Sequence, residues 1–379
     1  MPDYARTLPY AERDFAHRPG VRQWLRFDVW LLLPLLTLIL GGLAVLYSAS
    51  DADWGTVVRQ LRNHAVGLVA MLLAAQIRLD TYRRLAPFCY AVVLLLLVAV
   101  PLVGVGAKGA QRWLSLGVVR FQPSELMKLA MPFMVAWWFM HYTLPPRPLT
   151  LVGALTIVLL PAGLIVIQPD LGTSLLVAAS GMFVVFMAGI RWRYIFGAAL
   201  AFIASAWPAW LFLLKDYQKT RILTLLDPES DKLGAGWNII QSKTAIGSGG
   251  WSGKGWLSGT QSHLDFLPES QTDFIIAVLA EEFGLRGVLV LLATYLLIVC
   301  RGFWIGLTAQ SAFGRLLAGA ITLTFFVYVF VNMGMVAGIL PVVGVPLPLV
   351  SFGGTSIVTL MLSFGVLMAI STERRIMVD

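Results

Sequence analysis

Ten long apolar stretches dominate this chain of 379 residues and constrain its fold more than any other feature. An α-helix needs about 20 mostly apolar residues to cross the roughly 30 Å hydrocarbon core of a membrane. Only 13% of the residues are charged, whereas soluble domains have about 25%. The composition therefore excludes an ordinary soluble enzyme and a disordered chain. The predicted spans are 29–49, 64–77, 85–105, 124–142, 149–167, 171–189, 194–214, 274–302, 313–340 and 355–371. The second is short, and the sequence also allows it to begin nearer Arg59.

These stretches predict an all-α polytopic membrane protein with about ten transmembrane helices, folded as a single domain over residues 1–379. A cytoplasmic tail is expected at 1–28, and a large extracytoplasmic loop at 215–272 lies between spans seven and eight. The loop is rich in glycine, but Trp237, Trp251 and Trp256 argue against a flexible linker.

Lysine and arginine predict the orientation in the membrane. Of these 28 residues, 15 lie in the N-terminal tail and in loops on the same side, and positive charge in short loops marks the cytoplasmic side. Both termini are therefore expected in the cytoplasm, and the basic residues need no nucleic acid to explain them. The loops predicted on the outer side are 104–123, 168–172, 215–272 and 341–354. Because loops carry function more often than scaffolds do, we expect the site there.

Asp273 stands where the long loop enters an apolar helix, at the expected boundary between water and hydrocarbon. One interpretation is an acid at a helix N-terminus, stabilised by the macrodipole. The other is a carboxylate that acts as a base at the outer membrane surface. The helix over 274–302 would be about 43 Å long at 1.5 Å per residue, so it either protrudes or breaks near Gly284 and Gly287.

Further charged residues lie in or beside the spans. Glu281 and Glu282 are expected to pair or to line a cavity, and Glu282 has the i,i+4 spacing of an ion pair with Arg286. Glu125 and Lys128 share a helix face. They form either a self-contained ion pair or a polar pair facing a cavity, in which Glu125 orients a lysine that meets an anion.

The outer loops add three features. Arg112 has the planar guanidinium that suits phosphate. Asp170 lies in a Pro-Asp-Leu-Gly sequence that favours a tight turn. The last loop, 341–354, is apolar but contains too many Pro and Gly residues for one straight helix. Irregular backbone at membrane depth is tolerated only inside protein or along a cavity.

Taken together, these motifs resemble the SEDS (shape, elongation, division and sporulation) family. The matching runs are Gln111-Arg112-Trp113, Gln122-Pro123-Ser124-Glu125-Leu126-Met127-Lys128, Gln168-Pro169-Asp170-Leu171-Gly172-Thr173, Gly236-Trp237-Asn238-Ile239-Ile240-Gln241-Ser242-Lys243, Ala245-Ile246-Gly247-Ser248-Gly249-Gly250, Gly253-Lys254-Gly255, Gly259-Thr260-Gln261, Phe266-Leu267-Pro268-Glu269, Thr272-Asp273-Phe274-Ile275 and Ser351-Phe352-Gly353-Gly354-Thr355-Ser356. The resemblance covers essentially every span after the first three. Gly259-Thr260-Gln261-Ser262 is similar to the rod-shape (RodA) branch rather than the division (FtsW) branch. Ser270-Gln271 and Phe352 depart from the common family pattern.

The resemblance implies a peptidoglycan glycosyltransferase that polymerises lipid II at the outer face of the bacterial cytoplasmic (inner) membrane during cell elongation. The family's catalytic Asp falls on Asp273, and its cavity-lining Glu and Lys fall on Glu125 and Lys128. The implied partners are a class B penicillin-binding protein transpeptidase, other membrane proteins of the elongation complex, and undecaprenyl-pyrophosphate-linked glycan.

The predicted catalytic residue is Asp273, acting as general base. The predicted substrate-binding residues are Arg112, Glu125, Lys128, Asp170, Lys243, Lys254, Glu269 and Ser356. No metal-binding residue and no cofactor is assigned, and a divalent cation, Mg²⁺ or Mn²⁺, is left open as a companion of the pyrophosphate.

Two other classes of function compete with the glycosyltransferase. A transporter that flips lipid II is compatible with ten spans and intramembrane charges, but transporters often contain internal repeats and broken helices at the midplane. We find no internal repeat in the sequence. A scaffold that only recruits partners would need neither the carboxylate at the boundary nor the basic residues beside it.

Overall fold

The computed structural model describes residues 27–107, 110–116, 119–214, 216–231, 235–263 and 269–373. Most of the predicted cytoplasmic tail, together with Phe266, Leu267 and Pro268 of the matching runs, lies outside this part of the chain. The helices are α1 (Val29–Ala49), α2 (Trp54–Gln76), α3 (Leu79–Val103), α4 (Pro123–Phe139), α5 (Pro148–Ile167), α6 (Leu171–Met187), α7 (Trp192–Pro208), α8 (Asp216–Leu226), α9 (Ala235–Gly249), α10 (Thr260–His263), α11 (Ile275–Thr308), α12 (Ala312–Val336) and α13 (Thr355–Ser371). The strands are β1 (Val105–Ala107), β2 (Ala110–Leu116) and β3 (Val119–Phe121).

Each predicted span falls on one of ten helices with at least 17 residues, so the all-helical polytopic fold is confirmed. Six of the described helices are long and apolar enough to cross a membrane by themselves, and the number of spans stays a prediction. Large side chains such as Leu102 and Leu149 are 80% and 83% exposed, as expected for helices that are apolar on all sides and face lipid.

Helix α2 begins at Trp54, before the predicted second span of 64–77 and before Arg59, the earlier start that the sequence also allowed. Asp53 caps this helix by accepting hydrogen bonds from the backbone N–H groups of Gly55 at 2.8 Å and Thr56 at 3.1 Å. The Thr56 hydroxyl also donates to this carboxylate, which holds the pKa of Asp53 below its usual range. Arg59 and Arg62 lie in the first turns and lower their hydropathy, so the apolar pattern missed them.

The bundle packs α2 along α13, and α11 against both α1 and α12. Helix α6 contacts α4, α5 and α12. By contrast, α7 has no buried residue along its whole length. The described parts of the loops 104–123, 168–172, 215–272 and 341–354 lie at one end of the bundle, which we call the loop face. Arg112 binds the Pro169 carbonyl, Gly172 packs against Val343, and Phe352 N–H donates to the Gln271 carbonyl.

A small antiparallel sheet, in the order β1-β2-β3, occupies the loop between α3 and α4. Val105 pairs with Trp113, and Leu114 pairs with Phe121. The sequence had predicted helices alone, so these strands are a local correction. The sheet ends just before Pro123, which opens α4 because proline lacks the N–H that a first helical turn leaves unpaired.

The described part of the long loop is folded. It contains α8, a 3₁₀ turn (Pro228–Asp231), α9 and the single turn α10, and α9 packs against α11. Trp256, one of the loop tryptophans, donates a hydrogen bond from Nε1 to the Ala44 carbonyl of α1 at 3.1 Å. The large apolar groups thus attach the loop to the bundle.

Of the two alternatives for the eighth span, protrusion or a break, the structure shows a break at Gly284, which has φ 64° and ψ −162° within α11. The turn after α9 supplies the hydrogen bonds that the break removes. The N–H groups of Lys254 and Gly255 donate to the carbonyls of Glu281 and Glu282 at 3.0 Å, and Leu285 N–H donates to the Gly250 carbonyl at 2.9 Å.

The same break changes the contacts of the two acids beside it. An i,i+4 pair requires a continuous helix, and Gly284 interrupts it between Glu282 and Arg286. Glu282 instead accepts a hydrogen bond from the Ser48 hydroxyl of α1, and Arg286 lies 5.7 Å from the centre of the Trp251 ring.

Candidate functional site

A cavity opens between α4, α12, α13 and the last loop of the loop face. Its polar lining contains three predicted substrate-binding residues, Glu125, Lys128 and Ser356, together with Tyr328 and Ser351. Most of the remaining lining is apolar, with Pro346 and Leu347 contributed by the last loop. This irregular loop lines a cavity, which is one of the two settings in which irregular backbone is tolerated at membrane depth.

Glu125 and Lys128 form a close ion pair in this cavity. Lys128 Nζ lies 2.6 Å from Glu125 Oε1, and the two side chains are only 14% and 12% exposed. The ammonium group also lies 4.7 Å from the centre of the Tyr328 ring on α12. Both sequence interpretations hold together: the residues pair with each other and face a cavity.

Arg112 and Asp170 meet at the edge of the same region. Strand β2 carries Arg112, which donates to the Pro169 carbonyl at 2.5 Å and lies 3.6 Å from Asp170 Oδ2. Asp170 also caps α6 by accepting from Thr173 N–H at 3.2 Å. Gln122, one residue before α4, donates to Asp170 Oδ2 at 3.3 Å. The turn interpretation of Asp170 is thus confirmed, and the turn also binds the arginine.

Asp273 lies at the start of α11, half-buried, beside the last loop. Its Oδ2 atom faces Gly344: a Cβ atom built on this glycine would lie 3.5 Å from Asp273 Oδ2. Its backbone carbonyl accepts a hydrogen bond from Asn332 Nδ2 at 2.9 Å. The carboxylate is not part of the described cavity lining, but the loop that it touches forms one wall of that cavity.

The other predicted residues lie farther from the cavity. Lys254 Nζ is 2.7 Å from Glu281 Oε1, and Glu281 also accepts from the N–H groups of Thr260 and Gln261. Because Glu281 is fully buried, the charge of Lys254 is offset within the protein. The Lys243 side chain packs against Gly338. A Cβ atom built on this glycine would lie only 2.3 Å from Lys243 Cε.

Glu269 has a left-handed backbone with φ 60°. Its carboxylate accepts from the Thr272 hydroxyl at 2.9 Å, one residue before Asp273. This contact favours a structural part for Glu269 in the turn that leads into α11.

Within the described ranges, no group of three or more His, Cys, Asp or Glu side chains is arranged to hold a metal ion. Pyrophosphate oxygens of a substrate are ligands of the hard type that Mg²⁺ prefers, so a divalent cation stays open as a companion of the pyrophosphate.

Sequence reasoning missed Tyr328 and Asn332, which lie one helical turn apart on α12. The available signal was an amide within the apolar run of the ninth span, because polar residues inside membrane helices usually line a cavity or pair with another group. The sequence also did not reveal that Gln60 of α2 reaches the Ser351 carbonyl at 2.9 Å.

Comparison with known proteins identifies the architecture. The sequence model of the family FTSW_RODA_SPOVE, described as cell cycle protein, matches residues 23–376. The chain belongs to this family. It is 54% identical over 351 residues to the peptidoglycan glycosyltransferase MrdB of Escherichia coli K12, a match that covers 92% of this chain and 95% of the relative.

Two solved structures are also similar. One, described as the structural coordination of polymerization and crosslinking by a peptidoglycan synthase complex, has a TM-score of 0.82 at 31% identity and covers 93% of this chain and 99% of its own. The rod shape determining protein RodA of Thermus thermophilus has a TM-score of 0.70 at 28% identity, with coverage of 93% and 98%. The resemblance to the SEDS family and its RodA branch is confirmed.

Proposed function

We propose that the loop face polymerises lipid II into glycan strands, with Asp273 as the general base. The chain is a peptidoglycan glycosyltransferase and an integral membrane protein, in line with its family and its relative MrdB. The observation that carries the site assignment is the position of Asp273, half-buried at the start of a membrane helix and against the loop that walls the cavity.

The reaction joins two lipid-linked saccharides. The Asp273 carboxylate takes the proton from a hydroxyl of the acceptor sugar, and that oxygen attacks the anomeric carbon of the donor. The bond between this carbon and the pyrophosphate oxygen breaks, and the electron pair leaves with the undecaprenyl pyrophosphate. A base within hydrogen-bond reach of the hydroxyl contributes about 10²–10⁴-fold to such a transfer.

The departing pyrophosphate needs positive charge. We assign Lys128 to this task, because it lies in the cavity and Glu125 and Tyr328 fix its position. Arg112 on β2 offers a second cation, and Asp170, whose Oδ2 lies 3.6 Å away, orients it. Ser356 contributes a hydroxyl to the cavity wall.

The remaining predicted residues act around this centre. Lys243 is exposed on the loop face and is proposed to attract the anionic substrate. Lys254 and Glu269 are proposed to act mainly by placing the loop segments that lead to Asp273.

The loop face is proposed to be extracytoplasmic, with both termini in the cytoplasm of a bacterium and the bundle in its inner membrane. A solved relative belongs to a complex that couples polymerization with crosslinking. We therefore propose a class B penicillin-binding protein as the crosslinking partner, within a larger elongation complex.

The test is polymerisation of lipid II by purified protein, alone and with such a transpeptidase, comparing the native chain with Asp273→Asn. The variant keeps the size and shape of the side chain but cannot accept the proton. We expect long glycan strands from the native protein and about 10²–10⁴-fold slower synthesis by the variant. A transporter would move lipid II across vesicles without forming polymer.

Asp216→Asn is the matched control, since it makes the same chemical change at an exposed acid of α8 on the loop face. It should polymerise at the native rate. Native synthesis by a folded Asp273→Asn protein would remove this residue from the mechanism.

A further inference from the structure

Asn332 is a fully buried amide in an apolar part of α12. Its Nδ2 group donates one hydrogen bond to the Asp273 carbonyl at 2.9 Å and another to the Val345 carbonyl at 2.7 Å. Both partners are acceptors, which fixes the orientation of the amide. One side chain therefore joins α12, the start of α11 and the last loop.

Asn332 completes a set of contacts along three consecutive carbonyls. Phe352 N–H donates to the Gln271 carbonyl at 2.8 Å. The Ser351 hydroxyl donates to the Thr272 carbonyl, and Asn332 binds that of Asp273. The backbone carbonyls of residues 271, 272 and 273 thus each accept a hydrogen bond from the last loop or from α12.

The last loop also lies against the carboxylate itself. Gly344 has φ 79° and faces Asp273 Oδ2, and the neighbouring carbonyl of Val345 is the second acceptor of Asn332. Loss of the amide would therefore release both the backbone of Asp273 and the wall beside its carboxylate.

The same face of α12 reaches the cation. Tyr328 lies four residues before Asn332, which corresponds to about 6 Å along a helix, and its ring contacts Lys128. One rigid helix therefore contacts both groups that the reaction requires, the proposed base and the ammonium group of the Glu125–Lys128 pair.

We propose that Asn332 is a positioning residue for glycosyl transfer. Through one face of α12, it fixes the position of Asp273 relative to Lys128. The inference rests on the proposed function and goes beyond it, because it names the residue that sets the geometry of the base. Asn332 touches neither substrate nor reacting atoms in this role and acts through the backbone of Asp273.

The test is steady-state polymerisation of lipid II by Asn332→Ala and by Asn332→Leu, the second of which keeps most of the side-chain volume. Because small displacements of a reacting group cost up to about 10²-fold in rate, we expect kcat to fall about 10–100-fold. KM for lipid II should stay within about threefold, since the amide does not contact substrate. The pH dependence of kcat, measured alongside, should also change, because the surroundings of the proposed base change with its position.

Asn63→Ala is the matched control. Asn63 on α2 also donates from its amide to a carbonyl of the last loop, that of Gly353 at 2.9 Å, but it does not bind the segment 271–273. Its kcat should stay within about threefold of native, with an unchanged pH profile.

Several outcomes would overturn the proposal. These are native kcat in a folded Asn332 variant, a loss confined to KM, an equal loss in Asn63→Ala, or failure of both Asn332 variants to fold, which would make the amide a fold determinant only. Asp273→Asn, measured alongside, separates the two claims. If it is inactive while the Asn332 variants are native, only this inference fails; if it is active, the proposed base fails first.

Discussion

Glu125 and Lys128 form a buried ion pair in which each charge depends on the other. Two charges lie 2.6 Å apart and almost out of contact with solvent, where an ion pair has lost most of its hydration. Such a pair is a weak source of net stability, but removal of one partner leaves an uncompensated charge. The pair therefore keeps a cation in an apolar cavity at low cost, ready for an anionic group.

The Glu125–Lys128 pair should give a strongly non-additive double-mutant cycle. Glu125→Gln and Lys128→Met should each lower the free energy of unfolding by about 3 kcal/mol, and the double variant should lose much less than their sum. Polymerisation should be lost in all three variants that change the pair, because each removes or misplaces the cation. Thermal unfolding and lipid II turnover measure the two effects.

The exposed pair Asp80–Arg83, also spaced i,i+3, is the control for the stability cycle. Its atoms are 3.0 Å apart, but its side chains are 57% and 43% exposed, so its coupling should be close to zero. Simple additivity in the Glu125–Lys128 cycle would argue that the two residues act independently.

At the scale of elements, α11 is two helical segments joined by loop backbone. Gly284 kinks the helix, and a Cβ there would lie 2.4 Å from Gly253 N. The turn 249–255 is inserted so closely that its N–H and C=O groups replace the missing helical hydrogen bonds. Unsatisfied backbone groups at membrane depth are costly, so the break and the turn are expected to form together.

Gly284→Ala should therefore destabilise the protein by at least about 2 kcal/mol, from positive-φ strain and the clash with Gly253. Thermal unfolding in detergent would show it as a lowered Tm. Gly163→Ala is the comparison, because this helical glycine of α5 has open space where the Cβ would be. That variant should unfold no earlier than the native protein, and equal Tm values for both would contradict the account of the break.

At the scale of the whole molecule, the two ends of the bundle differ in construction. The loop face holds the sheet, the folded long loop and the cavity wall, whereas the described connections at the other end are short. At that end Arg301 binds Asp28 through two nitrogen atoms, the shorter contact being 2.7 Å, and joins α11 to the start of α1. The distribution of basic residues predicts that the loop face lies outside the cytoplasm.

The orientation can be tested with single cysteines in a Cys89→Ser, Cys300→Ser background. Ser252→Cys, on the loop face, should react with a membrane-impermeant maleimide in intact spheroplasts. Thr143→Cys, between α4 and α5, should react only after the membrane is opened; both positions are exposed. The reverse pattern would invert the proposed topology and move the site to the cytoplasm.

Hydropathy and short-range spacing were enough to predict the membrane helices. They offered the break near Gly284 and the Glu125–Lys128 ion pair, each as one of two interpretations. Each of these features depends on residues within a few turns of one another. A helical span in a membrane forms the hydrogen bonds of its backbone within itself, so its position can be read from a local pattern. The start of α2 was missed because its capped first turns are polar, a feature that a hydropathy pattern does not register.

Tertiary structure alone decided the sheet that carries Arg112, the helices of the long loop and the setting of Asp273. Gln60 and Ser351, joined by a hydrogen bond, are 291 residues apart in the chain, and Asn332 binds carbonyls of two other segments. No local pattern encodes which carbonyl a buried amide will meet, because that follows from how the helices pack. The chain thus specified its chemical groups locally, while packing between distant segments placed Glu125, Lys128 and Ser356 around one cavity and Asp273 beside the loop that forms its wall.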